Sequence, residues 1–433
     1  MVPIRTLNDL TTGELGRLFN RFGEDFISVM IDTVVPIVND VKKNGDRAVI
    51  EYTGKFDGVR LDSLTAGRDE IAAGRKEVPE DVYRAFSEAK KNIEEFHRLQ
   101  KRANIRHDRP DGASLGLINQ PLESAAIYVP GGKASYPSSV LMGVIPAQIA
   151  GVENIALITP PDKRGRVPDI ICAVCSMLGV GTIVKSGGAQ AIAAAGFGTD
   201  TVRKADIIVG PGNIYVTAAK TYLFSLGAVQ IDSLAGPSEV LIIADGRANP
   251  KWIACDMLSQ AEHEEMASAI LLTTSRDLAE SVRDEIMRDI DAGGGRHDIK
   301  RAAMNNNGLI LLVDGIGEAI EFSNRYGPEH MEFMVENPLE HLAEIKNVGS
   351  LFLGDYSPVA VGDYYSGTNH ILPTGGAARF SSGTAVDTFM RRTTWQMLSR
   401  ESLLAARGPV NIMSGAEGFQ DKHGGSINIR FED

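Results

Sequence analysis

Ala125-Ala-Ile-Tyr-Val-Pro-Gly-Gly-Lys133 is a short apolar run that ends in a proline–glycine turn. The same pattern recurs at Ile155-Ala-Leu-Ile-Thr159, Thr182-Ile-Val-Lys185 and Asp206-Ile-Ile-Val209. A second set follows at Val240-Leu-Ile-Ile-Ala244, Ala269-Ile-Leu-Leu-Thr273, Leu309-Ile-Leu-Leu-Val313 and Ser350-Leu-Phe-Leu353. Amphipathic stretches separate these runs. Continuous apolar runs spaced by helices are the mark of parallel strands covered on both faces. The expected class is therefore α/β with two units, and a break near Ala235-Gly-Pro237.

The flanks read differently. Residues 1 to about 110 read as helices, with Glu80 to Lys101 the clearest, because Val82, Phe86, Ala89, Ile93 and Phe96 recur at helical spacing. Asp32 to Tyr52 repeats that pattern. The tail from about Thr384 reads as helical, and the alternation in Ser426-Ile-Asn-Ile-Arg-Phe431 predicts one terminal strand.

The formal net charge of -12 and the absence of a Lys/Arg run exclude a basic nucleic-acid face. There is no stretch long and apolar enough for a membrane span. Met-Val-Pro-Ile-Arg-Thr at the start lacks the apolar segment of a signal peptide. With three cysteines, an odd and low number for 433 residues, the expected compartment is the reducing cytoplasm. Cys172-Ala-Val-Cys175 lacks the second pair of a metal knuckle, and its helical spacing before Gly179 marks a buried helix face.

Three glycine turns follow expected strands: Val129-Pro-Gly-Gly-Lys133, Gly187-Gly-Ala-Gln190 and Gly210-Pro-Gly-Asn213. They put bare backbone at strand carboxyl ends, where open parallel sheets bind ligands. No GxGxxG is present, so glycine-capped sheet turns with no ligand fit these residues too.

Among the eight histidines, His97, His107, His297 and His341 sit among charges and read as solvated surface residues. His263 lies three residues after Gln260, which on a helix places an amide oxygen and an imidazole on one face. Glu329 precedes His330, a carboxylate and an imidazole in the combination used for acid/base work. Asp363 and His370 share one loop, and His423 sits in an exposed turn. Gln, His, Asp and His together would make an oxygen/nitrogen zinc set. Spacing alone leaves that assembly open.

These motifs, in this order, make the sequence resemble the histidinol dehydrogenase family. Tyr128-Val-Pro-Gly-Gly-Lys-Ala, Gly187-Gly-Ala-Gln-Ala-Ile, Val209-Gly-Pro-Gly-Asn-Ile-Tyr-Val and Ala235-Gly-Pro-Ser-Glu-Val carry the resemblance, as do Leu258-Ser-Gln-Ala-Glu-His, Gly327-Pro-Glu-His, Gly362-Asp-Tyr and Asn369-His-Ile-Leu-Pro-Thr-Gly-Gly. The resemblance implies oxidation of L-histidinol to L-histidine with NAD at zinc. By position it implies zinc at Gln260, His263, Asp363 and His423, and acid/base roles for Glu329 and His330. It further implies substrate contacts at Ser238, His370 and Glu417 together with the zinc ligands and His330, and NAD contacts at Tyr128, Gln190 and Asn213. It implies a homodimer of two incomplete Rossmann-like units with helical terminal arms. Residues 1–24 form an arm, 25–127 with 239–378 the first unit, 128–238 the second, NAD-binding unit, and 379–433 an arm completing the partner's site.

The family's Glu-Gly-Leu-x-x-His is here Glu417-Gly-Phe-Gln-Asp-Lys-His423, one residue longer. Related zinc dehydrogenases oxidise other polar alcohols, such as sulfopropanediol. A carboxylate at Glu417 suits an imidazole and repels a sulfonate.

Overall fold

A computed structural model of the chain describes residues 2–21, 24–131, 135–234 and 236–432. Gly132, Lys133 and Ala134 of the first glycine turn, and Ala235 of the expected break, lie outside the described residues. The chain forms two compact units, Met1–Gln100 with Leu122–Phe389, and Lys101–Pro121 with Met390–Asp433.

The first unit contains two sheets. One has the order Ile4–Thr6, Gly308–Leu312, Ser268–Thr273, Glu239–Ala244, His330–Met334, Ser350–Leu353, all parallel. The other has the order Thr65–Ala66, Thr182–Lys185, Asn154–Thr159, Ser124–Tyr128, Ile207–Val209, Gln230–Ile231, parallel except for its first pair. All eight expected runs are strands, and the chain passes between sheets across the expected break.

Both faces of the first sheet are covered. Val240, Ile242 and Ala244 pack with Met257, Leu258 and Val359 on one face, and Leu241 and Ile243 pack with Ile320 and Phe322 on the other. Each such side chain gains roughly 1.5–3 kcal/mol from burial, so neither face of this sheet tolerates charge cheaply. On the second sheet, Val38, Val41 and Val49 of the Val35–Asp57 helix meet Ala191 and Ala194 of the Gly188–Phe197 helix. Alanines there let the two helices approach closely. Cys172 and Cys175 are buried on the Asp169–Leu178 helix as expected, and burial pushes the Cys172 thiol up to about 12. Among the described residues no helix is long and apolar enough to cross a membrane.

The second unit departs from the helical expectation. Met390–Met397, Ser114–Pro121 and Ile105–Asp108 form an antiparallel sheet. The β-branched and aromatic residues of Thr393-Thr-Trp395 suit a strand, and an eight-residue partner was available to pair with it. The Arg400–Ala416 helix follows. Ser426–Phe431 is helical, which corrects the expected terminal strand. The Asn428 side chain bonds Arg407 and Asn411 of that helix and ties the segment to it, so its alternating apolar residues never meet a neighbouring strand.

Candidate active site

The site is built around one residue's main chain. Glu239 opens the Glu239–Ala244 strand, and its N–H donates to Glu329 Oε2 at 2.8 Å. Its carbonyl accepts from His330 Nδ1 at 3.1 Å. That bond requires a proton on Nδ1 and makes Nε2 the nitrogen that can gain or lose one. Nε2 has no hydrogen-bond partner and lies 3.6 Å from Asp363 Oδ1. His330 begins the adjacent parallel strand, in register with Val240. Ser350 N–H holds the Glu329 carbonyl at 2.8 Å, and Gly349 approaches so closely that a Cβ there would sit 2.6 Å from that oxygen.

Glu239 is itself anchored. Arg21 grips its carboxylate at 2.6 and 3.0 Å while stacking 3.6 Å over the Tyr326 ring. Burial raises the Glu239 carboxyl, with Arg21 opposing it. Burial likewise lifts Glu329 to about 8, against the pull of His330 and the Glu239 N–H. For His330, burial opposes the charged form, but the Glu329 and Asp363 carboxylates outweigh it and lift the imidazole to about 9. These are the environments of an acid/base pair.

Asp363 lies on the short Val359–Tyr364 helix. Burial would raise it, yet His330, His370 and His263 hold it below the usual carboxylate range. His370 donates through Nδ1 to the Asp363 carbonyl at 2.8 Å, and its Nε2 meets Ser139 Oγ at 3.1 Å. Gln260 is buried in the last turn of the Pro250–Ala261 helix, and His263 follows just past its end, its N–H bonded to the Gln260 carbonyl. Desolvation keeps His263 below its ordinary value despite Asp363. Among the described residues no three His, Cys, Asp or Glu side chains form a metal group. Counting the Gln260 amide, the first unit offers an amide oxygen, a neutral imidazole and a carboxylate. Such donors fit zinc and are one short of its usual four. A cation on Asp363 would also offset the charge that lifts His330.

The glycine turns lie at strand ends of the second sheet. Tyr128 ends its strand buried, and its hydroxyl accepts from Gly188 N at 3.2 Å. Gln190 is buried with Oε1 unpartnered. Asn213 caps the Ile214–Ser225 helix, accepting from Tyr215 N and Val216 N at 3.1 Å. A helix start behind a glycine turn is where phosphate commonly binds, and here the Asn213 side chain already occupies two of its N–H groups. Sequence reasoning missed what fixes this turn: buried Lys220 pairs with Asp232, donates to the Gly210 carbonyl at 3.0 Å, and Asp232 accepts from Gly210 N at 2.7 Å. Gly210 has φ 130, and a Cβ there would lie 2.0 Å from the Tyr128 carbonyl. The one available signal was a lone cation on the apolar face of Ile214–Ser225.

Ser238 is half-buried just before Glu239, its N–H 3.4 Å from Glu264. Glu417 ends the Arg400–Ala416 helix and His423 sits in the following turn, both exposed and both in the second unit. His107 is exposed, and His297 and His341 are half-exposed beside Asp298 and Glu344. His97 is a correction. It is fully buried, with Nδ1 on the Ile93 carbonyl and Nε2 beside Asn369, because its helix packs that face inward.

A buried carboxyl–imidazole pair, donors of the kind that zinc takes and glycine turns on a parallel sheet fit the class of nucleotide-dependent oxidoreductases. The family model described as histidinol dehydrogenase matches residues 22–431. Histidinol dehydrogenase of Leptospira biflexa is 47% identical over 430 residues, covering 99% of both chains. That of Clostridium acetobutylicum is 46% identical over 403 residues, covering 93% of both. The crystal structure of histidinol dehydrogenase from Elizabethkingia anophelis superposes with a TM-score of 0.91 at 37% identity, covering 99% of this chain and 97% of that one. The chain belongs to the histidinol dehydrogenase family.

Proposed function

We propose that this chain oxidises L-histidinol to L-histidine in two NAD-dependent steps, with Glu329 and His330 moving the protons. Family membership supports the reaction and its need for zinc and NAD. The observation that carries the residue assignment is the shared hold of Glu239 on both side chains, which leaves His330 Nε2 buried and unpartnered.

His330 Nε2 takes the hydroxyl proton as hydride leaves the adjoining carbon, giving the aldehyde. Glu329 then removes a proton from water as it adds to that aldehyde. His330 gives its first proton to solvent; the hydrate, already one proton short after Glu329 took it from the attacking water, loses a second hydride, and His330 takes the remaining hydroxyl proton, leaving the carboxylate. Gln260, His263, Asp363 and His423 would hold zinc, which supplies an electrophilic anchor for the substrate's amine and imidazole. Tyr128, Gln190 and Asn213 would line NAD, the hydride acceptor. Ser238, His370 and Glu417 complete the substrate pocket, with Glu417 opposite the imidazole.

The same reading includes a homodimer in the cytoplasm. Arm 379–433 crosses to the partner, and each site combines 25–127 with 239–378, 128–238 and a borrowed His423; the expected arm 1–24 is instead held on its own chain, where Ile4–Thr6 pairs with Gly308–Leu312 and Arg21 binds Glu239. Ile412, Met413, Phe419 and Ile429 leave apolar surface exposed along the C-terminal segment, as an arm that docks elsewhere would require.

Two half-reactions test the assignment. Glu329→Gln should slow NADH formation from histidinal far more than from histidinol, since only the aldehyde step needs activated water. Equal losses would give Glu329 another role.

A further inference from the structure

Glu332 stands two residues after His330 on the same strand, and the two side chains therefore face the same side of the sheet. That side is apolar: Ile242 and Phe352 are its register neighbours, and Met257, Leu258 and Val359 pack nearby. Glu332 is only 1% exposed. Oε1 accepts the Val359 N–H at 2.9 Å, at the first residue of the helix that carries Asp363. Oε2 is buried with no donor facing it. The carboxyl that Glu332 meets belongs to Asp256, one turn before Gln260 on the Pro250–Ala261 helix.

Two carboxylates are both acceptors. They form a bond only when one carries a proton. The apolar surroundings favour the protonated form: burial lifts Asp256 to about 6, and burial with the Asp256 charge lifts Glu332 to about 8.

We propose that Asp256 and Glu332 form a proton-sharing tie that positions the zinc ligands. It joins the helix bearing Gln260, the helix bearing Asp363 and the strand bearing His330. Neither residue touches the reacting atoms, so both are positioning residues. The tie rests on the ligand assignment made above, and the test separates the two. Partners bonded directly to a metal ligand are each worth about 10–100-fold in metal affinity; Asp256 and Glu332 act one step further out, through the elements that carry the ligands, so the lower end of that range applies.

The test titrates the full-length protein with zinc alone against a chromophoric chelator, without substrate or NAD. Glu332→Ala should weaken zinc by about tenfold, the lower end of that range. Glu332→Gln should stay within about threefold of wild type, because its amide oxygen still accepts from Val359 and its NH2 donates to Asp256 without needing a shared proton. Val359→Pro removes the donated N–H at a first helical position where proline fits, keeps an apolar ring where the buried valine packed, and should weaken zinc as Glu332→Ala does. It stands in for Glu332→Ala if that variant does not fold. Asp363→Asn is the control for the ligand assignment. If it lowers zinc affinity while Glu332→Ala and Val359→Pro do not, the tie is wrong and the ligand set stands. If Glu332→Gln falls as far as Glu332→Ala, the carboxyl acts by charge or packing and the tie is again wrong. If Asp363→Asn binds zinc like wild type, the ligand assignment fails and the tie fails with it.

Discussion

Replace Lys220 with methionine. The ammonium is 1% exposed, its partner Asp232 is buried beside it, and the pair brackets Gly210 on both its N–H and its carbonyl. Methionine matches the stem but strands the Asp232 charge in an apolar layer. Breaking a buried pair from one side costs about 3–5 kcal/mol, read as a lower urea midpoint. Removing both charges, in Lys220→Met with Asp232→Leu, should restore most of that stability, since an apolar replacement of a buried pair is often neutral. NAD binding should not recover. Two backbone groups of Gly210 still lack their partners, each worth roughly 1 kcal/mol net, and the turn leading to Asn213 loosens. About 1.4 kcal/mol corresponds to tenfold, so the KM for NAD should rise roughly tenfold or somewhat more in the double variant and about fivefold in Lys220→Met, which keeps the bond from Gly210 N–H to Asp232, with the histidinol KM little changed. A double variant with wild-type NAD KM would refute the argument that this pair shapes the nucleotide turn. A single variant as stable as wild type would refute the argument that the pair is desolvated.

Further expectations concern the metal, the substrate, the assembly and pH. His263→Asn should lose zinc stoichiometrically by elemental analysis, and a full complement of metal would remove His263 from the ligand set. Glu417→Ala should raise the histidinol KM by roughly tenfold, the loss of a charge-assisted bond of about 1.5 kcal/mol, with the NAD KM unmoved; an unchanged histidinol KM would mean that the extra residue before His423 has displaced Glu417. His263→Asn and His423→Asn proteins, each nearly inactive, should recover about a quarter of wild-type activity after joint refolding, because half the dimers are mixed and each has one intact site. No recovery in mixed dimers would place His423 in its own chain's site. Asp256 and Glu332 have folded values raised to about 6 and about 8. Folding therefore favours their protonated forms, so their contribution is complete at acid pH and is lost as pH rises from the ordinary carboxyl range through about 8. Glu332→Gln should gain melting temperature relative to wild type as pH climbs through that window, and a pH-independent difference would contradict the shared proton.

Apolar runs gave away eight strands because both faces of each sheet are covered, so the pattern needed no alternation to be visible. His330–Met334 was not legible in that way. Its sequence, His-Met-Glu-Phe-Met, carries two titratable groups on one face, and those groups are there for the site and its support rather than for the core. Glu329 and His330 could be picked out as chemistry, but nothing in the spacing of the chain pairs them with Glu239, some ninety residues earlier. His97 misled because charged neighbours describe the outer face of a helix, whereas its own position falls with Ala89 and Ile93 on the buried one. The C-terminal alternation misled for the opposite reason: six residues of period two say nothing unless a strand edge lies within reach.

The grip on Glu329 and His330 comes from the main chain of Glu239, not from its side chain. Any displacement of that strand's first residue moves Glu329 and His330 together, so under the proposed roles the two oxidations share a single adjustment. A survey of side-chain replacements would overlook this, because no substitution at position 239 by an ordinary residue deletes an N–H and a carbonyl. Its effect would surface instead at Arg21, more than two hundred residues upstream, where a change that touches neither reactive group should slow both halves of the reaction in the same proportion.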